Sequence, residues 1–264
     1  YLLENQGWER AMIHAWRRNN HGMLLGVQHS ALRFWDLRYF DGYKKGSANK
    51  GSYIPKPDAI ILNGPAAREA YLKAGYDEKF FLQAEALRYI DERQKFVPFI
   101  EESKTSIKIL ILGDINADST RTLLLLLEKL KINGLQLTIK FHPGALIDLN
   151  QYSSLNINEV KLPLNKILPQ FDTCIAVGST TAGLNAYLSG LRVSVFIVEG
   201  DLNLSPLKDI PNINFLCNLA DLKTYINGNR ESNPIKNEDL LPYFWQDSSL
   251  SKWNSLVKKI ILDS

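Results

Sequence analysis

Cysteine is scarce in this chain of 264 residues. The two present, Cys174 and Cys217, stand in apolar contexts (DTCIAV and NFLCNL) and read as buried thiols rather than a disulfide. Histidine is almost as rare. The four, at positions 14, 21, 29 and 142, show no zinc-like spacing with either cysteine, so no metal site is expected. Long apolar runs are missing too: the longest, Leu123 to Leu127, falls far short of the roughly 20 residues that cross a bilayer, and no signal peptide is visible. There is no basic block. A net charge of +3, spread over interspersed Lys, Arg, Asp and Glu, argues against a dedicated nucleic-acid surface and leaves only a local patch for anionic lipid. Repeats of solenoid period and low-complexity tracts are absent.

What is there is an ordinary globular composition, 45% apolar and 22% charged, in a chain long enough for two domains of about a hundred residues or more. The opening Tyr1-Leu2-Leu3 reads as the end of a buried strand, as expected of a fragment whose earlier residues have been removed. Strand and helix then alternate. Tyr1 to Glu4 precedes a helix whose apolar face carries Trp8, Ala11, Met12, Ala15 and Trp16, with Asn5 as its N-cap. Met23 to Val27 leads to Gln28-His29-Ser30, then to an aromatic segment and a Gly-, Ser- and Lys-rich loop, 44–53, with the composition of a lid. Asp58 to Leu62 ends in Asn63-Gly64, and the helix from Pro65 to Ala74 has proline in its first turn and Gly75 past its end. Phe80 to Ala84 ends in Glu85, and the charged stretch from Asp91 to Lys104 reads as a linker.

The second half alternates more cleanly. Ile107 to Leu112 is a continuous apolar strand ending in Gly113-Asp114, and 119–131 is an amphipathic helix. Leu135 to Phe141 delivers His142-Pro143-Gly144; a short strand near Leu155 to Val160 precedes a helix around Leu164 to Gln170. Thr173 to Val177 runs into Gly178-Ser179-Thr180, Thr181 to Ser189 is helical, and Arg192 to Val198 ends in Glu199. Short apolar strands separated by helices mean parallel sheets covered on both faces. The predicted fold is therefore α/β, two Rossmann-like domains whose parallel sheets face a cleft. Residues 1–100 form the acceptor-side domain, 105–230 the nucleotide-binding domain, and 231–264 a tail whose helix, Leu250 to Leu262, packs back on the first domain. Trp8, Trp16 and Trp35 read as core, and Trp245 and Trp253 as packing between domains.

Nearly every strand ends on an ionisable or hydrogen-bonding residue: Glu4, His29, Asn63 and Glu85 in the first half; Asp114, His142, Ser179 with Thr180, and Glu199 in the second. Open α/β sheets bind ligands at that edge. Ser179-Thr180-Thr181 places hydroxyls at a helix start, where unsatisfied N–H groups and the helix dipole suit a phosphate, with Gly183 keeping the backbone approachable. A helix cap alone would need one hydroxyl. His142, held extended by Pro143, is placed to donate a hydrogen bond or a proton to a leaving phosphate. Glu199 is a candidate for ribose hydroxyls and equally a solvated loop acid. His29 and Arg88 are candidates for substrate or acceptor, since arginine matches planar anions.

The pairing of KFHPG with GSTTAG, after ENQGWE and GVQHS, resembles GT-B glycosyltransferases of bacterial surface-carbohydrate synthesis. The similarity is greatest to the uncharacterised surface-carbohydrate biosynthesis proteins, through EALRY and the YFWQDSS tail, and more distant to sialyl- and Kdo-transferases that use CMP-activated sugars. It implies that His142, Pro143, Ser179 and Thr180 contact CMP, and that Glu4 is the catalytic carboxylate, with Glu9 and Glu85 in reserve; Gly178 and Thr181, in the same loop and helix start, are nucleotide-binding candidates beside them. Asn5 and Gln6 stand where that pattern has a second acid. The expected substrates are a CMP-linked acidic sugar and a glycan or lipid-linked glycan acceptor, with no cofactor, no metal and no nucleic acid. The expected location is the cytoplasm, at the inner face of the membrane. A CDP-glycerol-type phosphotransferase and a non-catalytic nucleotide- or glycan-binding subunit are the competing readings.

Overall fold

The structure, a computed structural model, describes residues 1–4, 6–32, 55–90, 107–131, 135–171, 173–228 and 243–262. Asn5, Trp35, the lid at 44–53 and the linker from Asp91 to Lys104 lie outside the described residues. The chain divides into two compact units, Tyr1–Arg93 with Pro242–Ser264, and Gln94–Leu241.

In the first unit, β1 (Leu2–Leu3), α1 (Gly7–Arg18), β2 (Leu25–Gln28), β3 (Ala59–Leu62), α2 (Pro65–Lys73) and β4 (Phe81–Gln83) follow one another. Its four strands are parallel and lie in chain order, β1-β2-β3-β4. Leu3, Ile60, Leu62 and Tyr71 fill one core and Ile61 with Ala84 another.

Helix α1 corrects the expected apolar face. Glu9 and Ile13 are the buried positions, while Trp8 is 60% exposed. The cause is the helix start: the Glu9 carboxylate accepts from the Glu4 and Gln6 backbone N–H groups at 3.0 and 3.1 Å, which draws that side of the helix inward. Gln6 takes the N-cap position.

The second unit runs β5 (Ile107–Leu112), α3 (Ala117–Leu130), β6 (Leu135–Lys140), β7 (Ile157–Glu159), α4 (Leu164–Ile167), β8 (Thr173–Val177), α5 (Ala182–Leu188), β9 (Arg192–Phe196), β10 (Asn214–Leu216) and α6 (Leu219–Gly228). Strand β10 and helix α6 have too little periodic signal to be anticipated. The sheet is parallel, in the order β10-β9-β8-β5-β6-β7. Ile109 to Leu112 are at most 1% exposed because α3 and α6 cover one face and α5 the other. Each such side chain contributes about 1.5–3 kcal/mol.

Gly183 serves this packing: a Cβ there would lie 2.5 Å from the Cβ of Ala176 on β8. The expectation that it keeps backbone open to a phosphate is replaced by a close helix–strand approach.

The tail returns to the first unit. Phe244 stacks on Tyr89 with ring centroids 4.0 Å apart, Trp245 N–H donates to the Asn63 carbonyl at 3.0 Å, and Ala86 N–H donates to the Trp245 carbonyl at 2.8 Å. Helix α7 (Ser251–Leu262) sets Trp253, Leu256 and Ile260 against Ile61 and Ala84. Trp245 and Trp253, expected between domains, therefore pack within the first unit.

Candidate functional site

In the second unit the strand order reverses at β5, whose neighbours are β6 on one side and β8 on the other. Such a switch point splays the loops at the carboxyl ends of the two central strands and opens a crevice for a ligand. Leu112 lies opposite both Lys140 and Ala176, so Gly113-Asp114 emerges between the loops carrying His142 and Ser179. Glu199 follows β9, beyond β8, and is exposed.

Asp114 is the residue that sequence reasoning left without a role. Its carboxylate is 5% exposed and accepts from the backbone N–H of Ser179 at 2.7 Å and of Ile115 at 2.6 Å; the Ser179 hydroxyl stands 3.5 Å from both carboxylate oxygens. Gly178 makes this approach feasible. It has φ +58°, and a Cβ on it would come 2.0 Å from Asp114 Oδ2. No local pattern could have shown this, because the partners are 65 residues apart and meet only through the strand order. The carboxylate already holds one N–H group that a phosphate would otherwise take.

The hydroxyls remain at this edge. Thr181 is the N-cap of α5 yet makes no side-chain capping hydrogen bond, and Ser179 and Thr180 are half-buried. Helix α5 starts at Ala182, one residue later than expected, and is seven residues long. His142 is half-buried, and its Nδ1 accepts from the Gly144 backbone N–H at 3.1 Å. A neutral imidazole accepting at Nδ1 carries its proton on Nε2, which leaves Nε2–H as a donor. Pro143 and Gly144 are exposed beside it.

At the same edge of the first unit's sheet, His29 Nε2 and Glu4 Oε1 are 3.1 Å apart, with side chains 23% and 41% exposed. The other two named carboxylates have structural work. Glu9 is 1% exposed and caps α1. Glu85, 2% exposed, accepts from the Lys252 and Trp253 N–H groups at 2.8 and 3.0 Å, so it caps α7 from a distant strand. Of Glu4, Glu9 and Glu85, Glu4 is the one with an exposed side chain, while the other two carboxylates accept from backbone N–H groups at helix starts. His29, Asn63, Glu85 and Arg88 line a cavity of about 220 Å3, walled further by Leu87 and Trp253. Among the described residues no three His, Cys, Asp or Glu side chains are grouped to hold a metal, and no helix is long and apolar enough to cross a membrane.

No family model and no curated protein matches the chain. Among solved structures it is similar to a sucrose-phosphate synthase from Thermosynechococcus elongatus, with TM-score 0.54 and 13% identity, over 95% of this chain and 71% of that one. Two parallel, helix-covered sheets in tandem, together with that likeness, define a two-Rossmann-like protein of the GT-B fold. The wall teichoic acid polymerase TagF matches at TM-score 0.38 and 15% identity, over 78% of this chain and 57% of that one. The β-Kdo 2,7-transferase KpsC of Thermosulfurimonas dismutans matches at TM-score 0.38 and 10% identity, over 83% of this chain and 88% of that one.

Proposed function

We propose that the protein is a glycosyltransferase that moves an acidic sugar, such as sialic acid or Kdo, from a CMP-activated donor to a surface glycan acceptor. The observation that carries this reading is the second unit's switch point, where His142 presents a donor nitrogen at the same sheet edge as the Ser179-Thr180 loop, on the other side of β5. The phosphate of the donor sits against those hydroxyls and the Nε2–H of His142. Pro143, Gly178 and Thr181 shape the loops around it, and Glu199 is the candidate for the ribose.

In the reaction the acceptor oxygen bonds to the anomeric carbon as the bond from that carbon to the phosphate oxygen breaks. Charge developing on the phosphate is stabilised by hydrogen bonds already in place, an effect worth about 3–4 kcal/mol per donor in comparable oxyanion sites. Glu4 takes the acceptor's proton, and His29 holds its carboxylate in place.

Titration calorimetry with CMP, CDP and UDP tests the proposal. CMP binding that weakens in Ser179→Ala and His142→Gln supports it. No binding of any of the three overturns it, and tighter binding of CDP than CMP transfers the case to phosphotransfer. CMP binding without consumption of any CMP-sugar, unaffected by Glu4→Gln, identifies a binding subunit.

A further inference from the structure

The cavity of the first unit has walls whose chemistry does not match a bare glycan. Most of its polar lining atoms are engaged: His29 Nε2 faces Glu4, the Gln28 and Asn63 amides both donate to the Ser30 carbonyl, and the Glu85 carboxylate caps α7, while His29 Nδ1 is buried with no partner among the described residues. The rest of the wall is aliphatic, from strands β1, β2 and β3, closed by Trp253, whose indole N–H is fixed on the Glu85 carbonyl at 2.8 Å. Leu2 and Leu87 line it while 57% and 56% exposed, so both offer apolar surface to a ligand entering the cavity. A hexose pushed into such a space would find His29 Nδ1 for one hydroxyl at most and would bury the others without partners, at a cost of about 1–3 kcal/mol each by protein measurements. A hydrocarbon chain loses nothing there.

Arg88 adds the second half of the specificity. It lines the cavity, is exposed, lies with its guanidinium 5.7 Å from the Tyr89 ring centre, and has no carboxylate partner among the described residues. A guanidinium with no carboxylate partner among the described residues, beside an apolar cavity, matches a molecule with a hydrocarbon body and a phosphate or carboxylate next to it.

We infer that this cavity is a binding site for the apolar portion of an amphipathic, anionic acceptor, with the hydrocarbon against Leu2, Leu87 and Trp253 and the anion on Arg88. The inference rests on the acceptor being bound by the first unit.

A ladder of ethyl, butyl, hexyl and octyl phosphate, titrated by calorimetry below micelle formation, tests it, with inorganic phosphate, octanol and methyl glucoside as controls. Affinity should rise about fourfold per methylene until the cavity is filled. Leu87→Ser should flatten the ladder, and Arg88→Gln should weaken octyl phosphate at least fivefold while leaving octanol unchanged. Both substituted side chains are exposed, so the fold is spared. An affinity independent of chain length, inorganic phosphate binding as well as octyl phosphate, or methyl glucoside binding better than either would overturn the inference. CMP titrated into the same preparation separates the two cases. CMP bound with a flat ladder refutes only the acceptor subsite, and a steep ladder without CMP binding refutes only the nucleotide reading.

Discussion

Replacing Gly178 with alanine puts the junction of β5 and β8 under a strain whose size follows from the geometry. At φ +58° an L-residue costs about 1–2 kcal/mol more than glycine. The new methyl would lie 2.0 Å from Asp114 Oδ2. That carboxylate cannot swing away without losing its hydrogen bonds from Ser179 and Ile115, and a hydrogen bond to a charged group is worth about 1.5–3 kcal/mol. Gly178→Ala should therefore destabilise the protein by about 4–8 kcal/mol in urea or guanidinium denaturation if both hydrogen bonds are lost. Asp114→Ala removes the obstacle, so the double variant should be more stable than the sum of the single effects predicts, with a coupling of at least 1 kcal/mol. A Gly178→Ala variant within 1 kcal/mol of the parent, or strict additivity in the cycle, would refute the picture of a carboxylate locked in that notch.

Four other outcomes are expected. Glu4→Gln should lower the rate of sugar transfer by about 10²–10⁴ with no change in the denaturation midpoint, as suits a half-exposed proton acceptor. His142→Gln should slow transfer by about 10²-fold or more and weaken CMP binding, measured by single-turnover kinetics and calorimetry. Glu85→Ala should expose the start of α7 at a cost of about 1–3 kcal/mol, seen as faster hydrogen exchange at Lys252 and Trp253; exchange as slow as in the parent would rule out the capping role. Burial pushes the Cys174 thiol well above its ordinary range, so it stays protonated at neutral pH. Iodoacetamide should leave it unlabelled in the folded protein and label it once denatured, as mass spectrometry will show.

Where strands are short runs dominated by apolar residues, such as Ile107–Leu112 and Thr173–Val177, their bounds are legible residue for residue, because the buried core of each strand excludes polar side chains and leaves Lys108 and Thr173 near the strand starts. The helix α1 face was misread for a local reason with a polar cause: the Glu9 carboxylate satisfies backbone donors at the helix start, and hydrophobic periodicity has no means of registering that demand. The strand-end residues were equally legible as a set, yet their duties differ. Glu85 stands in the same kind of position as Glu4 but is consumed by a helix end, a distinction set by which helix comes to rest against it.

The sequence by itself determined the alternation of strands and helices, the parallel sheets and the polar character of their carboxyl edges, because these follow from side-chain spacing over a few residues. Only the tertiary structure decided that the sheet order reverses at β5 and sets Asp114 into the Gly178–Ser179 loop. It likewise decided that Glu4 reaches the surface paired with His29, and that the aliphatic wall beside Arg88 encloses a cavity. These are contacts between residues far apart in the chain, fixed by the order in which strands pair and by which polar groups then need partners, and no local pattern encodes either.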